Sequence, residues 1–173
     1  VLRSFFKLAS AEVAFIDKGR SEKRALTRDK NKVFKPLKST HERYADVFRN
    51  LGFSVDISSP EFPPKKEFSQ EIIDIAGNKN EKWIGIAPFA TYNSKMYPLD
   101  LMEKVIAELC EQPIKIMLFG GGKKEIELLE NLANKFPNTI NVAGKLKLKQ
   151  EIALISNLDC MVSMDSGNAH FAA

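Results

Sequence analysis

The residues best suited to chemistry stand together near the end of this chain, where Asp165, Ser166 and Gly167 are followed by His170. The apolar run Cys160–Met164 before them predicts a buried strand that passes through a polar turn into a helix. Such a junction leaves backbone N–H groups and the positive end of a helix dipole facing one point. That point suits an anion, above all a phosphate. The Asp165 carboxylate can accept a hydrogen bond from a sugar or nucleotide hydroxyl, or it can fix the turn.

A second interpretation of the same residues is purely structural. Asp-Ser-Gly before a helix is ordinary N-cap chemistry, and His170 would then be a buried histidine with satisfied hydrogen bonds. This segment alone does not decide between the two interpretations, and the rest of the chain bears on both.

Length and composition indicate a globular protein with a real core. The chain has 173 residues, 44% of them hydrophobic, and a formal net charge of +4, with lysines spread along it without a dense run. A basic balance favours an anionic partner. Cys110 and Cys160 lie in apolar segments without paired spacing, so we predict two core thiols. No signal peptide and no membrane-spanning apolar run is present, which predicts a cytoplasmic location.

The first part of the sequence has the character of the end of one domain. Helical spacing over Val1–Ala9 is followed by an apolar run, Glu12–Asp17, that predicts a strand. Ser39 and Glu42 form a capping-box pattern that opens a helix over 39–51. Because the chain starts without methionine and stops about one turn into its last helix, we expect a fragment of a longer protein.

Composition divides the chain into three stretches. Residues 1–52 form the first, and residues 53–81, rich in proline and polar side chains around a short helical piece at Gln70–Ala76, predict an interdomain linker. Residues 82–173 form a regular second domain.

The second domain alternates strands and helices, which predicts a Rossmann-like parallel sheet with flanking helices. The helix before residue 112 is expected to bury Leu101, Val105, Ile106 and Leu109. We predict strands at 82–87, 114–119, 140–142 and 160–164, and helices at 98–111, 123–136, 149–158 and from about 168.

Each of the four strands ends in residues suited to a nucleotide, and ligands collect at the carboxyl ends of such strands. The chain lacks a complete Gly-x-Gly-x-x-Gly fingerprint, a Walker loop, paired metal ligands and an aromatic-basic array for nucleic acid. The four stretches are Pro88–Pro98 with Lys95, Gly120–Gly122, Ala143–Lys147 with Leu146, and Asp165–Gly167.

Four motifs in this order resemble the bacterial lipopolysaccharide heptosyltransferases, the ninth glycosyltransferase family, which have the two-domain GT-B architecture. The last motif matches the family pattern Asp-Ser/Thr-Gly-x-x-His-x-x-Ala and is the most specific. The motifs are Ile86–Pro98, Leu118–Gly122, Val142–Leu146 and Met164–Ala172.

The resemblance implies that residues 1–52 end an acceptor-binding domain and residues 82–173 belong to a donor-binding domain. It implies transfer of a heptose, or a related sugar, from an ADP-sugar to the lipid A core oligosaccharide, with inversion and without a metal or other cofactor. Thr91 and Lys95 would hold the donor phosphates, Lys95 would stabilise the leaving diphosphate, and Leu146 would lie against adenine. Asp165 would bind the donor sugar, and Ser166, Gly167 and His170 would surround the diphosphate.

Two departures from the family pattern affect what is expected of the chain. Lys123 stands where the family often has a glutamate for the ribose, which leaves the nucleoside preference open. The family's general base is an aspartate near the start of the acceptor domain, a region that we do not find in this chain. We therefore expect the chain alone to bind nucleotide weakly and to be inactive.

Two other functions are consistent with the same residues. One is a GT-B glycosyltransferase that uses another nucleotide sugar, and the other is a Rossmann-like binding module without catalysis. The expected partners are a nucleotide-sugar donor and a lipid A core acceptor, with peripheral contact at the inner face of the inner membrane and no nucleic acid.

Overall fold

The computed structural model describes residues 11–173, and the predicted helix at Val1–Ala9 lies outside them. The chain divides into two compact units between Pro63 and Pro64. This division falls inside the predicted linker, residues 53–81. The predicted assignment of the two parts to an acceptor and a donor domain stays a prediction.

The first unit contains two helices, α1 (Arg20–Thr27) and α2 (Thr40–Arg49). The hydroxyl of Ser39 accepts the N–H of Glu42 at 3.1 Å, which confirms the predicted start of α2. The carboxylate of Glu42 bonds the guanidinium of Arg49 at 2.6 Å, so the second half of the predicted capping box is replaced by an ion pair along the helix.

The strand predicted at Glu12–Asp17 is wrong. These residues form no strand with any described part of the chain, and Val13 and Phe15 are 39% and 59% exposed. An apolar run becomes a strand only where a neighbouring backbone takes its ladder hydrogen bonds. The chain turns directly after this run, with Gly19 in the left-handed region at φ 60° and its N–H bonded to the Asp17 carboxylate.

The second unit is a parallel α/β sheet, which confirms the predicted fold class. Its four strands run in the order β3-β2-β1-β4, and every pairing is parallel. The strands are β1 (Lys82–Ala87), β2 (Ile114–Leu118), β3 (Thr139–Asn141) and β4 (Cys160–Ser163), and the helices are α3 (Gln70–Ala76), α4 (Leu99–Cys110), α5 (Lys123–Ala133), α6 (Leu148–Ile155) and α7 (Gly167–Ala172).

Alternating residues of the strands build two hydrophobic clusters, one on each face of the sheet. Trp83 and Met117 pack with α3 and α6, whereas Ile86 and Ile116 pack with α4 and α5. Since α3 contributes Ile72 to the first cluster, the helical piece of the predicted linker belongs to the core of the second unit.

Two predictions about burial need correction. On α4 the residues that are buried are Met102 and Ile106, while Val105 is 37% exposed, because the sheet lies against the neighbouring stripe of the helix. Cys160 is exposed on β4, an outer strand of the sheet, and Cys110 is only partly buried. The cysteine assignment failed because an apolar strand exposes side chains wherever no layer covers it. No helix within residues 11–173 is long and apolar enough to cross a membrane.

Candidate functional site

The loops that leave the carboxyl ends of β1, β2 and β4 meet around one cleft of about 380 Å³. Parallel strands in register bring their ends to the same edge, and Ala87 at the end of β1 lies opposite Ser163 at the end of β4. Of the residues predicted from the sequence, Thr91, Ser166 and Gly167 line this cleft. Two glycines of the triple-glycine turn, Gly120 and Gly121, line it as well.

Lys95 and Asp165 form an ion pair that joins the first and the last of these loops. Lys95 ends a short 3-10 turn, Asn93–Lys95, and its Nζ lies 2.5 Å from Oδ2 of Asp165. The hydrogen bond from Lys95 and its charge, aided by the charge of His170, hold the pKa of Asp165 below its usual value. Both side chains are about half exposed, so a ligand can reach either of them.

Ser166 does not act as the structural interpretation requires. It occupies the N-cap of α7, yet its side chain caps no N–H of the helix, and its hydroxyl lies 3.2 Å from the hydroxyl of Ser163. The Asp165 carboxylate is engaged by Lys95. The helix-capping role is therefore not what these two side chains perform, which favours the ligand-binding interpretation.

Leu146 and His170 lie outside the lining of the cleft. Leu146 is partly buried against the cluster that contains Trp83, whereas Leu148, two residues further on, is 57% exposed and lines the cleft. His170 is exposed one helical turn beyond Gly167. The predicted contact of Leu146 with adenine stays a prediction, and Leu148 is the apolar residue in this stretch that faces the cleft.

Two carboxylates in the cleft escaped the sequence analysis. Glu125 lines it and accepts the N–H of Gly121 at 2.8 Å, whereas Lys123, at the position compared with the family's glutamate, does not line it. Glu151 of α6 is half-buried there, and burial raises its pKa. In the sequence, Glu125 occupies the position of the third glycine in the incomplete Gly-x-Gly-x-x-Gly pattern. Glu151 could not be identified from the sequence, because its position is that of an ordinary helical residue.

Aromatic side chains form the apolar part of the lining. Phe89 follows β1, Phe119 follows β2 and Phe171 belongs to α7. The cleft thus combines an apolar wall with hydroxyls, carboxylates and glycine backbone, a combination typical of small-molecule sites. Between residues 11 and 173, no group of three or more His, Cys, Asp or Glu side chains is arranged to hold a metal ion.

Fold and cleft together define an α/β protein of the Rossmann-like class with its candidate site at the carboxyl ends of the strands. The family model of "Glycosyltransferase family 9 (heptosyltransferase)" matches residues 6–173, and the chain belongs to this family. The resemblance identified from the motifs is confirmed.

Curated relatives and solved structures agree with that assignment. The chain is 29% identical over 133 residues to the lipopolysaccharide core heptosyltransferase OpsX of Haemophilus influenzae, covering 70% of this chain and 37% of that protein. It is 32% identical over 114 residues to lipooligosaccharide heptosyltransferase 2 of Haemophilus ducreyi, covering 63% and 32%. The chain thus spans about a third of the length of these relatives.

A solved structure shares the fold. The E. coli heptosyltransferase WaaC, solved with ADP-2-deoxy-2-fluoro heptose, superposes with a TM-score of 0.63 at 21% identity. The superposition covers 82% of this chain and 44% of that one. The predicted parallel α/β architecture is therefore that of a heptosyltransferase over the part compared.

Proposed function

We propose that this chain is the donor-binding part of a glycosyltransferase that moves a heptose from an ADP-sugar to a lipopolysaccharide core oligosaccharide. The observation that carries the proposal is the Lys95–Asp165 pair, which holds an exposed cation and an exposed carboxylate together next to the residues that line the cleft. Family membership and the nucleotide sugar in a structural neighbour support the choice of donor.

The diphosphate of the donor would lie between Thr91, Lys95 and the turn at Ser166 and Gly167. Lys95 is the only lysine or arginine among these residues, and its exposed ammonium can turn from Asp165 to a phosphate oxygen without unburying any core. Asp165 would then accept hydrogen bonds from hydroxyls of the sugar, and His170 would provide a further hydrogen-bond donor nearby. Each role uses a side chain that is accessible in the structure.

The nucleoside would occupy the cleft itself. Phe89 and Leu148 line the cleft and offer apolar surface to a base. The predicted contact of Leu146 with adenine would add to this surface. Glu125 and Glu151 offer acceptors to ribose hydroxyls, and no lysine or arginine lines the cleft among the described residues. Glu125 thereby takes the ribose role that the sequence comparison had left in doubt at Lys123.

The reaction would proceed by displacement at the anomeric carbon with inversion. The bond to ADP breaks as the acceptor hydroxyl attacks the opposite face, and negative charge develops on the leaving diphosphate. Lys95 would stabilise that charge, which is why no metal ion is required in this mechanism. The acceptor hydroxyl must lose a proton as it attacks, and we assign no base for that step to residues 11–173.

Calorimetric titration of the whole protein with ADP, GDP and UDP tests the proposal. We expect ADP to bind at least about tenfold more tightly than the other two, a difference of about 1.4 kcal/mol. Lys95→Ala should weaken ADP binding, while Lys104→Ala, which removes an exposed lysine of α4, should not. Preference for GDP or UDP would assign another nucleotide sugar, and absence of binding to all three would favour a non-catalytic module.

A further inference from the structure

Tyr92, in the loop that leaves β1, holds an exposed aromatic ring beside the ion pair of Lys95 and Asp165. The tyrosine is 63% exposed, and the Nζ of Lys95 lies 5.9 Å from the centre of its ring. Single exposed aromatic side chains are common on protein surfaces and need no function. The ring of Tyr92 differs from these because it lies next to two residues of the proposed donor site.

A short 3-10 turn places the ring and the ammonium on the same side of the loop. The N–H of Lys95 donates to the carbonyl of Tyr92 at 2.9 Å, which closes the turn Asn93–Lys95. Side chains three residues apart in such a turn lie over each other. A lysine ammonium within about 6 Å of a ring centre is attracted to the face of that ring. The contact therefore follows from the backbone of the turn and needs no packing against the core.

The loop that contains this turn is also tethered to the end of β4. The N–H of Tyr97 donates to Sδ of Met164 at 3.1 Å, and the N–H of Met164 donates to the carbonyl of Ala87 at 3.0 Å. These bonds join the loop after β1 to the residue that precedes Asp165. The aromatic ring and the Asp165 carboxylate are thereby held near each other, and the Lys95 ammonium contacts both.

The ring lies outside the cleft that the nucleoside would occupy. Thr91 lines that cleft, whereas Tyr92 does not. The backbone of Tyr92 is extended, with φ −119° and ψ 133°, and neighbouring side chains of an extended chain point to opposite sides. Thr91 and Lys95 would hold the diphosphate. A ring that is beside Lys95 and outside the cleft is therefore placed for the sugar of the donor and not for its base.

A sugar has two kinds of surface that suit these two side chains. Its hydroxyl groups donate hydrogen bonds, which an ionised carboxylate such as that of Asp165 accepts. Its C–H bonds form an apolar face with slight positive charge, which fits the negative face of an aromatic ring. The Nζ of Lys95 lies 2.5 Å from the carboxylate and 5.9 Å from the ring centre, so one sugar can reach both groups.

We propose that the sugar of the nucleotide-sugar donor stacks on the ring of Tyr92 while Asp165 binds its hydroxyls. The Lys95 ammonium contacts both groups in this structure. A diphosphate that binds Lys95 would draw the ammonium away and leave the ring and the carboxylate to the sugar. Tyr92 is then a residue that selects the sugar and not the nucleotide. This inference rests on the proposed function, because it requires a diphosphate at Lys95.

Calorimetric titration of the whole protein with ADP and with ADP-heptose tests the inference. Tyr92→Ser should weaken the binding of ADP-heptose about fivefold. The same variant should not weaken the binding of ADP, which has no sugar at this position. Tyr92→Phe keeps the aromatic face and should bind both ligands as the parent does. Tyr44→Ser, which removes an exposed tyrosine of α2, is the control and should also bind both ligands as the parent does.

Three results would overturn the inference alone. Equal weakening of ADP and ADP-heptose binding in Tyr92→Ser would show that the ring only positions Lys95. Unchanged ADP-heptose affinity in that variant would show that the ring contacts no sugar. Loss of ADP-heptose affinity in Tyr92→Phe would assign the effect to the hydroxyl and not to stacking. A parent protein that does not bind ADP-heptose would overturn the proposed function and this inference together.

Proton NMR of bound ADP-heptose gives a second measurement, which a merely structural role of Tyr92 would not affect. Protons above the face of an aromatic ring are shielded by its ring current. The C–H resonances of the sugar should therefore move upfield on binding to the parent and to Tyr92→Phe, but not on binding to Tyr92→Ser. Circular dichroism checks that the variants fold. Their spectra should match that of the parent, since Tyr92 is exposed and its turn is closed by a backbone hydrogen bond.

Discussion

Lys95 donates to Asp165 across 70 positions of sequence, with 2.5 Å between Nζ and Oδ2. The contact exists because β1 and β4 are neighbours in the sheet, which places the loops after Ala87 and Ser163 side by side. Two residues that the sequence placed in separate loops are thus held together by opposite charge. A donor diphosphate that binds Lys95 must share that cation with Asp165 or displace the carboxylate from it.

Removal of the Asp165 charge should separate the proposed role of Asp165 in binding the donor sugar from its ion pair with Lys95. In Asp165→Asn, ADP should bind no more weakly than in the parent, and up to about fivefold more tightly, because Lys95 is released from an exposed ion pair. The complete nucleotide sugar should bind more weakly, because its hydroxyls lose their acceptor. Titration of both ligands into both proteins measures this, and equal weakening of the two would show that Asp165 acts only by positioning Lys95.

The pH dependence of that comparison follows from the direction of the pKa shift. The hydrogen bond from Lys95 lowers the pKa of Asp165. The stabilisation that the ion pair provides is therefore complete above the ordinary carboxyl pKa, and it is lost as the pH falls through the lowered pKa of Asp165. The difference in ADP affinity between parent and variant should therefore stay constant from about pH 6 to pH 8.

Asn141 should be important for stability. It is 2% exposed at the end of β3, and its amide donates to Glu130 at 2.7 Å and to the carbonyl of Ile126, while its oxygen accepts from Ala143. Asn141→Ala would leave the Ala143 N–H and the Ile126 carbonyl without this partner, and we expect a loss of about 2 kcal/mol in the free energy of unfolding.

Urea denaturation measures the effect of Asn141→Ala, and Asn131→Ala, at an exposed position of α5, serves as the matched control with little change expected. The hydrogen bond from Asn141 is also the main cause of the lowered pKa of Glu130, so that pKa should rise toward its ordinary value in the variant. A variant as stable as the parent would contradict the assigned network.

Gly85 of β1 should not tolerate a side chain. An added Cβ would lie 2.5 Å from Cδ1 of Leu158 and 3.0 Å from Cε2 of Phe119, and would also meet Sδ of Met161. Because this part of the sheet is packed on that face, Gly85→Ala should cost about 2 kcal/mol in the free energy of unfolding. Gly121→Ala, where a Cβ meets nothing within 4 Å, is the control, and equal melting temperatures for the two variants would refute the packing argument.

Glu151 should make stability depend on pH. Burial raises its pKa, so its favourable contribution is present at low pH and is lost as pH rises through the raised pKa. Glu151→Gln should therefore raise the melting temperature at neutral pH and have little effect near pH 4. Glu127→Gln, at an exposed position of α5, should show no such trend; a Glu151→Gln variant that melts lower at neutral pH would indicate that the carboxylate has a favourable partner.

Sequence patterns predicted the second unit well because its signals are local. Apolar runs of strand length, separated by periodic helices and by glycine or proline, locate all four strands to within one or two residues. Helix starts with a defined cap, such as Ser39 before α2, could be predicted from the sequence equally well. The same local patterns identified Thr91, Ser166 and Gly167, which follow strands directly and therefore line the cleft.

Local signals failed where burial depends on what packs above a residue. Nothing near Cys160 in the sequence shows that its strand lies at the outside of the sheet, and nothing near Glu12–Asp17 shows that no strand pairs with it. Leu146 and Leu148 have the same residue type and similar neighbours. Only the path of the chain into α6 decides that the first packs against the core and the second faces the cleft.

The sequence by itself determined the family, the order of strands and helices, and the types of side chain available at the carboxyl ends of the strands. These properties follow from patterns of neighbouring residues, which are present in the sequence whatever the chain contacts elsewhere. The tertiary structure alone decided the strand order β3-β2-β1-β4 and the pairing of Lys95 with Asp165. Those depend on contacts between residues far apart in the chain, whose free energies are realised only when the folded backbone brings them within a few ångströms.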